Sequence, residues 1–273
     1  MNDAPIGVFD SGIGGLSVLR ALRAELPHEN FIYVADSGHA PYGEQDEAHV
    51  LARSRAIAQY LVYRNVKALV IACNTATAAA IHLLRAEHPG LVLIGVEPAV
   101  KPAVKLSRTG RIGVMATRGT LSSAKFQVLL AAQLAGPHKV EFITQPCDGL
   151  AHAIEASAHT GDATKTIALC ADYLCAIGQF GFKSGQIDTL VLGCTHYPLV
   201  VEYLRALVGP EVQFIDSGEA VARETQRRLS ELLTATNAPP GRVSLFATSQ
   251  THVLQAAAQR WLGLSAPVGL LSF

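Results

Sequence analysis

The sequence predicts an α/β fold: two facing α/β domains with mainly parallel sheets, pseudo-symmetric, with an active site in the inter-domain cleft. Three observations lead there. First, short apolar, β-branched runs alternate with helix-length amphipathic segments along nearly the whole chain, the pattern of βαβ units. Second, an Ile-Gly-Val strand followed later by a strand that delivers a cysteine occurs twice. The separations are 67 residues (Ile6 to Cys73) and 82 residues (Ile112 to Cys194), so the second copy carries about fifteen more. Third, Asp10, Asp36, Cys73, Thr117 and Cys194 all fall at the carboxyl ends of predicted strands, where parallel sheets place their ligands.

Taken in order, Ile6 to Phe9 is an apolar strand that ends in Asp10-Ser11-Gly12-Ile13-Gly14-Gly15, and a helix follows to about Leu26, stopped by Pro27. The glycines lack both the Gly-Lys-Ser/Thr of a phosphate loop and the spacing of a dinucleotide fingerprint, so a tight strand-to-helix turn explains them better than a nucleotide site. Phe31 to Ala35 is the next strand, ending at Asp36, and Ser37 to Gly43 is a structured turn. A helix over Gln45 to Tyr63 places Val50, Ile57 and Leu61 on one stripe. The strand Ala68 to Ala72 delivers Cys73, a helix covers Ala76 to Glu87, and Leu91 to Val96 is a strand before Glu97-Pro98. A short helix then leads to Arg108.

The pattern restarts at Arg111, with Ile112 to Thr117 echoing Ile6 to Ser11 and a helix over Ser122 to Leu134. Val140 to Thr144 is a strand, and helices cover Cys147 to Ser157 and Ala163 to Ile177. Thr189 to Leu192 delivers Gly193-Cys194-Thr195-His196, and Pro198 opens an amphipathic helix from Leu199 to Val208. Strand Val212 to Ile215, helix Gly218 to Ala235, strand Val243 to Ala247, helix Thr251 to Leu262 and a tail complete the chain. Crossovers at Glu97-Pro98 and after Leu207 divide it into a discontinuous first domain, 1–97 plus 208–273, and a second domain, 98–207.

Composition narrows the class. With 273 residues, 49% hydrophobic and only 16% charged, the chain builds a sizeable core and is not disordered. Lys plus Arg and Asp plus Glu number 22 each, so no basic face for nucleic acid is expected. The start, Met1 to Pro5, has no secretory pattern, and no apolar run reaches the roughly 20 residues that span a bilayer. The expectation is a cytoplasmic protein with no membrane partner, whose five cysteines are reduced thiols.

A free cysteine is usually a small buried hydrophobe, and that reading suits Cys147, Cys170 and Cys175. It suits Cys73 and Cys194 poorly, because both sit at strand-helix junctions where helix amides favour a thiolate, and polar residues follow both. Cys194 and His196 are too few to hold zinc, and no Cys-x-x-Cys or His-Glu-x-x-His is present, so metal: none is the expectation. A single Cys194-His196 nucleophile would leave Cys73 unexplained. Two opposed thiols suit the inversion of a stereocentre that carries an acidic hydrogen. One removes the proton from one face and the other returns a proton to the opposite face. Enantiomers have equal free energies in water, so acid and base should be alike. Asp10 for Cys73 and His196 for Cys194 are the neighbours expected to tune them.

Four ordered motifs, Asp10 to Gly15, Pro41-Tyr42-Gly43, Cys73-Asn74-Thr75 and Gly193 to His196, resemble the cofactor-independent aspartate/glutamate racemase superfamily, and within it the glutamate racemases. The resemblance runs from about Ile6 to Ala222. It implies reversible conversion of L- to D-glutamate for bacterial cell-wall peptidoglycan, with neither pyridoxal phosphate nor metal. It implies Cys73 and Cys194 as the acid/base pair, and Asp10, Ser11, Tyr42, Gly43, Asn74, Thr75, Thr195 and His196 as substrate-binding residues. Glu155 falls where the family carries an acidic residue near the second cysteine, although the segment from Cys147 departs from the commoner Cys-Pro-x-Phe-Val-Pro form. Some members carry an N-terminal extension tied to activation by a cell-wall precursor; here the first strand begins at once, and such activation is not expected. Partners are then a small-molecule substrate (glutamate) and, as the assembly to test, a homodimer. The alternatives are aspartate racemase or a related racemase of the superfamily, and, from another class, a non-catalytic cleft-type solute-binding protein.

Overall fold

The computed structural model describes residues 3–234 and 239–273. Its strands are β1 (Ile6–Asp10), β2 (Phe31–Ala35), β3 (Ala68–Ile71), β4 (Val92–Gly95) and β5 (Arg111–Ala116). They continue with β6 (Glu141–Pro146), β7 (Thr189–Leu192), β8 (Gln213–Ile215), β9 (Val243–Ala247) and β10 (Val268–Leu270). One six-stranded sheet has the order β10-β9-β2-β1-β3-β4 and one four-stranded sheet the order β6-β5-β7-β8. Every pairing between these strands is parallel. The segment β2-β1-β3-β4 of the first sheet has the same connectivity as the whole second sheet, so β1 corresponds to β5 and β3 to β7. This is the repeat anticipated from the two Ile-Gly-Val strands and the two cysteine strands. In each sheet the chain reverses direction across the central strand, and the crevice at such a switch point is where open α/β sheets bind ligands.

The helices are α1 (Leu16–Glu25), α2 (Glu47–Tyr63), α3 (Asn74–Glu87), α4 (Val100–Leu106), α5 (Arg118–Ser122) and α6 (Ala124–Leu134). They end with α7 (Leu150–Thr160), α8 (Thr164–Ile177), α9 (Val201–Val208), α10 (Gly218–Arg228) and α11 (Thr251–Leu262). The pleat of β1 sends Ile6 and Val8 into one apolar cluster with α1, α10 and α11, and Phe9 into another with α2 and α3. Burial on both faces is why these strands read as continuous apolar runs. Among the described residues no helix is long and apolar enough to cross a membrane.

Several boundaries differ from expectation. β8 pairs with β7, so the second sheet runs on past the expected boundary at 207/208 to Ile215. We propose that the discontinuous first unit resumes at Asp216. The helix expected from Ser122 to Leu134 is broken at Ser123, whose extended backbone and hydroxyl, accepting from Phe126 N at 3.2 Å, end α5 and cap α6. α10 stops at Arg228, and the expected end at Ala235 lies outside the described residues. Beyond it the chain is pinned by tertiary bonds: Lys67 Nζ donates to Leu232 O and Thr234 N donates to Glu29 Oε1. β10 lies in the segment read as a tail. Cys147 and Cys170 are buried, but Cys175 is exposed, since its face of α8 turns to solvent.

Candidate active site

The loops after β1, β3, β5 and β7 meet at one place. Ser11, Tyr42, Gly43, Cys73, Asn74, Thr75, Cys194, Thr195 and His196 line a single cavity there, together with Thr117 and Thr120. Cys73 arrives as the N-cap of α3, its sulfur accepting from Ala76 N at 3.4 Å. Cys194 arrives from the equivalent strand of the other sheet. Both are buried, at 6% and 8% exposure, so two thiols from opposite sheets face one enclosed space. About 10 Å³ of that space is free, the room of about one water molecule. A pocket with about 320 Å³ free opens beside it between α3 and α5, and Thr75 belongs to the wall of both.

Asp10 stands behind the cavity. Its carboxylate accepts from Gly12 N at 2.8 Å and, across the sheets, from Thr195 Oγ1 at 2.9 Å. Ser17 Oγ lies 2.9 Å from Thr195 O, so two residues of the first sheet's side grip one turn of the second. Burial raises the Asp10 carboxyl above the ordinary range, against the lowering influence of His196. Burial also pushes the Cys73 thiol up, and the charge of Asp10 pushes it further; the amides of Ala76 and Thr75 oppose this and lose. That direction is the reverse of what the helix terminus alone suggests, because a closed, dry cavity penalises a thiolate more than a few amides favour it.

His196 Nδ1 lies 3.7 Å from Cys194 Sγ, the neighbour relation expected from their spacing. The other ring nitrogen, Nε2, lies 2.7 Å from Glu155 Oε1. Burial disfavours charge on this ring, yet the hydrogen bonds to Cys194 and Glu155 outweigh it and raise its pKa well above the usual value. As an imidazolium, His196 donates from Nε2 to Glu155 and from Nδ1 toward the sulfur. Glu155 Oε1 also accepts from Ile13 N at 2.7 Å, so α7 is tied to the glycine-rich loop of the opposite sheet. The glycines make the approach possible: a Cβ on Gly12 would lie 1.9 Å from Glu155 Oε1, and one on Gly14 would lie 2.3 Å from His196 Nδ1.

The chain matches the Asp/Glu/Hydantoin racemase family over residues 12–225. It belongs to that family. It is 45% identical to glutamate racemase of Ectopseudomonas mendocina over 98% of both chains. It also resembles the crystal structure of glutamate racemase isoform RacE1 from Bacillus anthracis, with a TM-score of 0.85 and 30% identity over 100% of this chain and 99% of that one. Escherichia coli glutamate racemase, solved in complex with L-glutamate and the activator UDP-MurNAc-Ala, gives a TM-score of 0.84 and 30% identity, covering 99% of each chain. Nine of the ten residues expected at the site line this cavity, and Asp10, the tenth, lies behind Thr195. Sequence reasoning assigned no role to Thr117 and Thr120, which join Thr75 in a cluster of hydroxyls: Thr117 Oγ1 lies 3.1 Å from Thr75 Oγ1 and 3.0 Å from Thr120 Oγ1. The signal was available for Thr117, already placed at a strand's carboxyl end: it directly follows β5, where Asp10 closes β1.

Proposed function

We propose that this chain interconverts L- and D-glutamate without a cofactor, by exchange of protons between the substrate α-carbon and Cys73 and Cys194. The observation that carries this reading is the presentation of two thiols to one cavity from equivalent strand ends of two repeated sheets. One cysteine, as thiolate, takes the α-proton and becomes a thiol. The carbanion left on the α-carbon then takes a proton from the opposite thiol, which ends as the thiolate, so charge and protons balance. The reverse reaction uses the same groups in exchanged roles.

The remaining residues fit that task. Burial and Asp10 favour the protonated Cys73 thiol, and the α-ammonium of the substrate supplies the positive charge a thiolate needs there. Asn74, whose buried Oδ1 has no hydrogen-bond partner among the described residues, is the acceptor proposed for that ammonium. The hydroxyls of Ser11, Thr75, Thr117 and Thr120 are the donors proposed for the two carboxylates, while the Thr195 hydroxyl already donates to Asp10. His196, kept charged by its bonds to Cys194 and Glu155, passes a proton to Cys194 or stands against the charge of its thiolate. The free space holds about one water, so the loops must part to admit glutamate and close again to exclude solvent. The D-glutamate supplies peptidoglycan synthesis, and the proposed setting is the cytoplasm, with a homodimer as the assembly that sedimentation would test.

The test is incubation with L-glutamate in deuterated water, following the α-proton by NMR and the enantiomers by chiral separation. Solvent deuterium should enter both enantiomers at the α-carbon as D-glutamate appears. Retention of the α-proton, or exchange on aspartate in preference to glutamate, would overturn the reading.

A further inference from the structure

We propose that Arg53, which lies outside the cavity, is a positioning residue for the reaction: it fixes Asp36, and through Asp36 the Tyr42-Gly43 lip that the first sheet's side contributes to the site. The proposal rests on the glutamate racemisation reading above. Asp36 follows β2, and its fully buried carboxylate is surrounded by donors. Oδ2 accepts from Tyr42 Oη at 2.6 Å and from Arg53 Nε at 2.9 Å; Oδ1 accepts from Arg53 Nη2 at 2.9 Å and from Thr248 Oγ1 at 2.8 Å. Burial alone would raise this carboxyl, but the bonds from Arg53, Tyr42 and Thr248 hold it below the ordinary range. A buried carboxylate with that shell is a fixed post, and Arg53 is the charge that lets it stay ionised.

Tyr42 is itself fully buried and lines the cavity. Its hydroxyl is committed to Asp36, so what it offers the site is its ring and backbone. The next residue, Gly43, packs on the opposite sheet's loop, where a Cβ would lie 2.5 Å from Thr117 Cβ. Glu44 Oε1 then accepts from Gly149 N at 3.0 Å, at the start of α7. The lip thus touches the second sheet's side at two points and hangs from Asp36 on its own side. Arg53 sits on α2 with a side chain only 13% exposed, its guanidinium carbon 5.6 Å from the centroid of the Phe273 ring. A two-pronged guanidinium holds both carboxylate oxygens, which a lysine ammonium cannot do.

A loosened lip lowers the fraction of enzyme in the closed, binding-competent arrangement. The apparent substrate affinity falls by that fraction, while bound substrate that does close the site still reacts. A merely structural ion pair behaves differently: its loss lowers melting temperature and active fraction, leaving KM where it was.

The experiment is steady-state racemisation in both directions by the wild type, Arg53→Lys and Arg53→Ala, with melting curves for each. If one molecule in about ten keeps a closed lip, Arg53→Ala raises KM for both enantiomers ~10-fold with kcat little changed. Arg53→Lys, which keeps the charge and loses the fork, gives an intermediate KM. Guanidinium at millimolar concentration, far below denaturing levels, restores the KM of Arg53→Ala and leaves the wild type unaffected. KM unmoved in both variants, or a fall in kcat alone alongside a lower melting temperature, would overturn the proposal. If Arg53→Ala does not fold, Arg53→Lys decides by the same readout. A wild type without racemase activity defeats the parent reading instead, so the two failures are distinct.

Discussion

Replacing Glu155 by Gln removes one negative charge and nearly no volume from the point where the two sheets' loops are tied together. The carboxylate accepts from Ile13 N and bonds His196 Nε2, both at 2.7 Å, and its side chain is 16% exposed against 3% for the histidine. A hydrogen bond to a charged group contributes about 1.5–3 kcal/mol, and at these exposures little of that is screened away. Lost from the transition state, it amounts to roughly a 10- to 150-fold fall in kcat/KM. The sign of the pH effect follows from His196, whose folded-state pKa is raised above its unfolded value. Stability from the charged ring is fully present below the unfolded value, about 6.5, and is lost as pH rises through the folded value. The stability difference between wild type and Glu155→Gln should therefore be largest between about pH 5 and 6.5 and shrink at alkaline pH. Circular dichroism of glutamate at a series of pH values measures the rate, and urea unfolding at the same pH values measures the stability. A variant with wild-type kcat/KM, or with a stability gap that widens as pH rises, refutes the assignment of Glu155, beside Cys194, as a group that keeps His196 charged.

Three further outcomes follow. Gly14→Ala should lose activity while remaining folded, because the added Cβ would lie 2.3 Å from His196 Nδ1 and 2.7 Å from Thr195 Oγ1; Gly90→Ala, with nothing within 4 Å, is its control, and equal rates in the two variants would contradict the packing argument. Asp10→Asn removes a negative neighbour that pushes the Cys73 thiol up, so the alkylation–pH profile of Cys73, measured in a Cys194→Ser background, should move to lower pH; an upward move sinks that assignment. Lys67→Met strands the Glu29 carboxylate, 2.5 Å away and equally buried, and should cost about 3–5 kcal/mol in urea unfolding with the rate of the folded fraction unchanged.

The strands and the two cysteines were legible because both are local signals. A sheet buried on both faces writes itself as β-branched apolar runs, and the polar residues at their ends stand out against them. The same uniformity hid the sheet to which β8 belongs, since Gln213–Ile215 is three residues long and only its pairing with β7 decides the matter. Asp10 was expected to serve Cys73, and its charge does act on that thiol, but its side-chain partner Thr195 is 185 positions away, and that contact exists only once the sheets face each other. Glu155 was visible as an acidic residue in about the right place, yet its contacts with Ile13 and His196 belong to the packing of α7. The direction in which Cys73 is shifted could not be read from a helix terminus, because burial, the largest influence, is a property of the closed cavity.

The central claim is that two thiols, one on each face of the substrate, carry the proton. Cys73→Ser and Cys194→Ser test it directly when each variant is given L- and D-glutamate in deuterated water, and also each enantiomer of a glutamate analogue with a leaving group that departs on deprotonation. Each variant should lose racemisation by ~10²-fold or more, since a serine hydroxyl is a far weaker acid and base in the same position. Each should still take the α-proton from one enantiomer of the analogue, and the two variants should prefer opposite enantiomers. Near wild-type racemisation by either variant, or the same enantiomer preferred by both, would contradict the account.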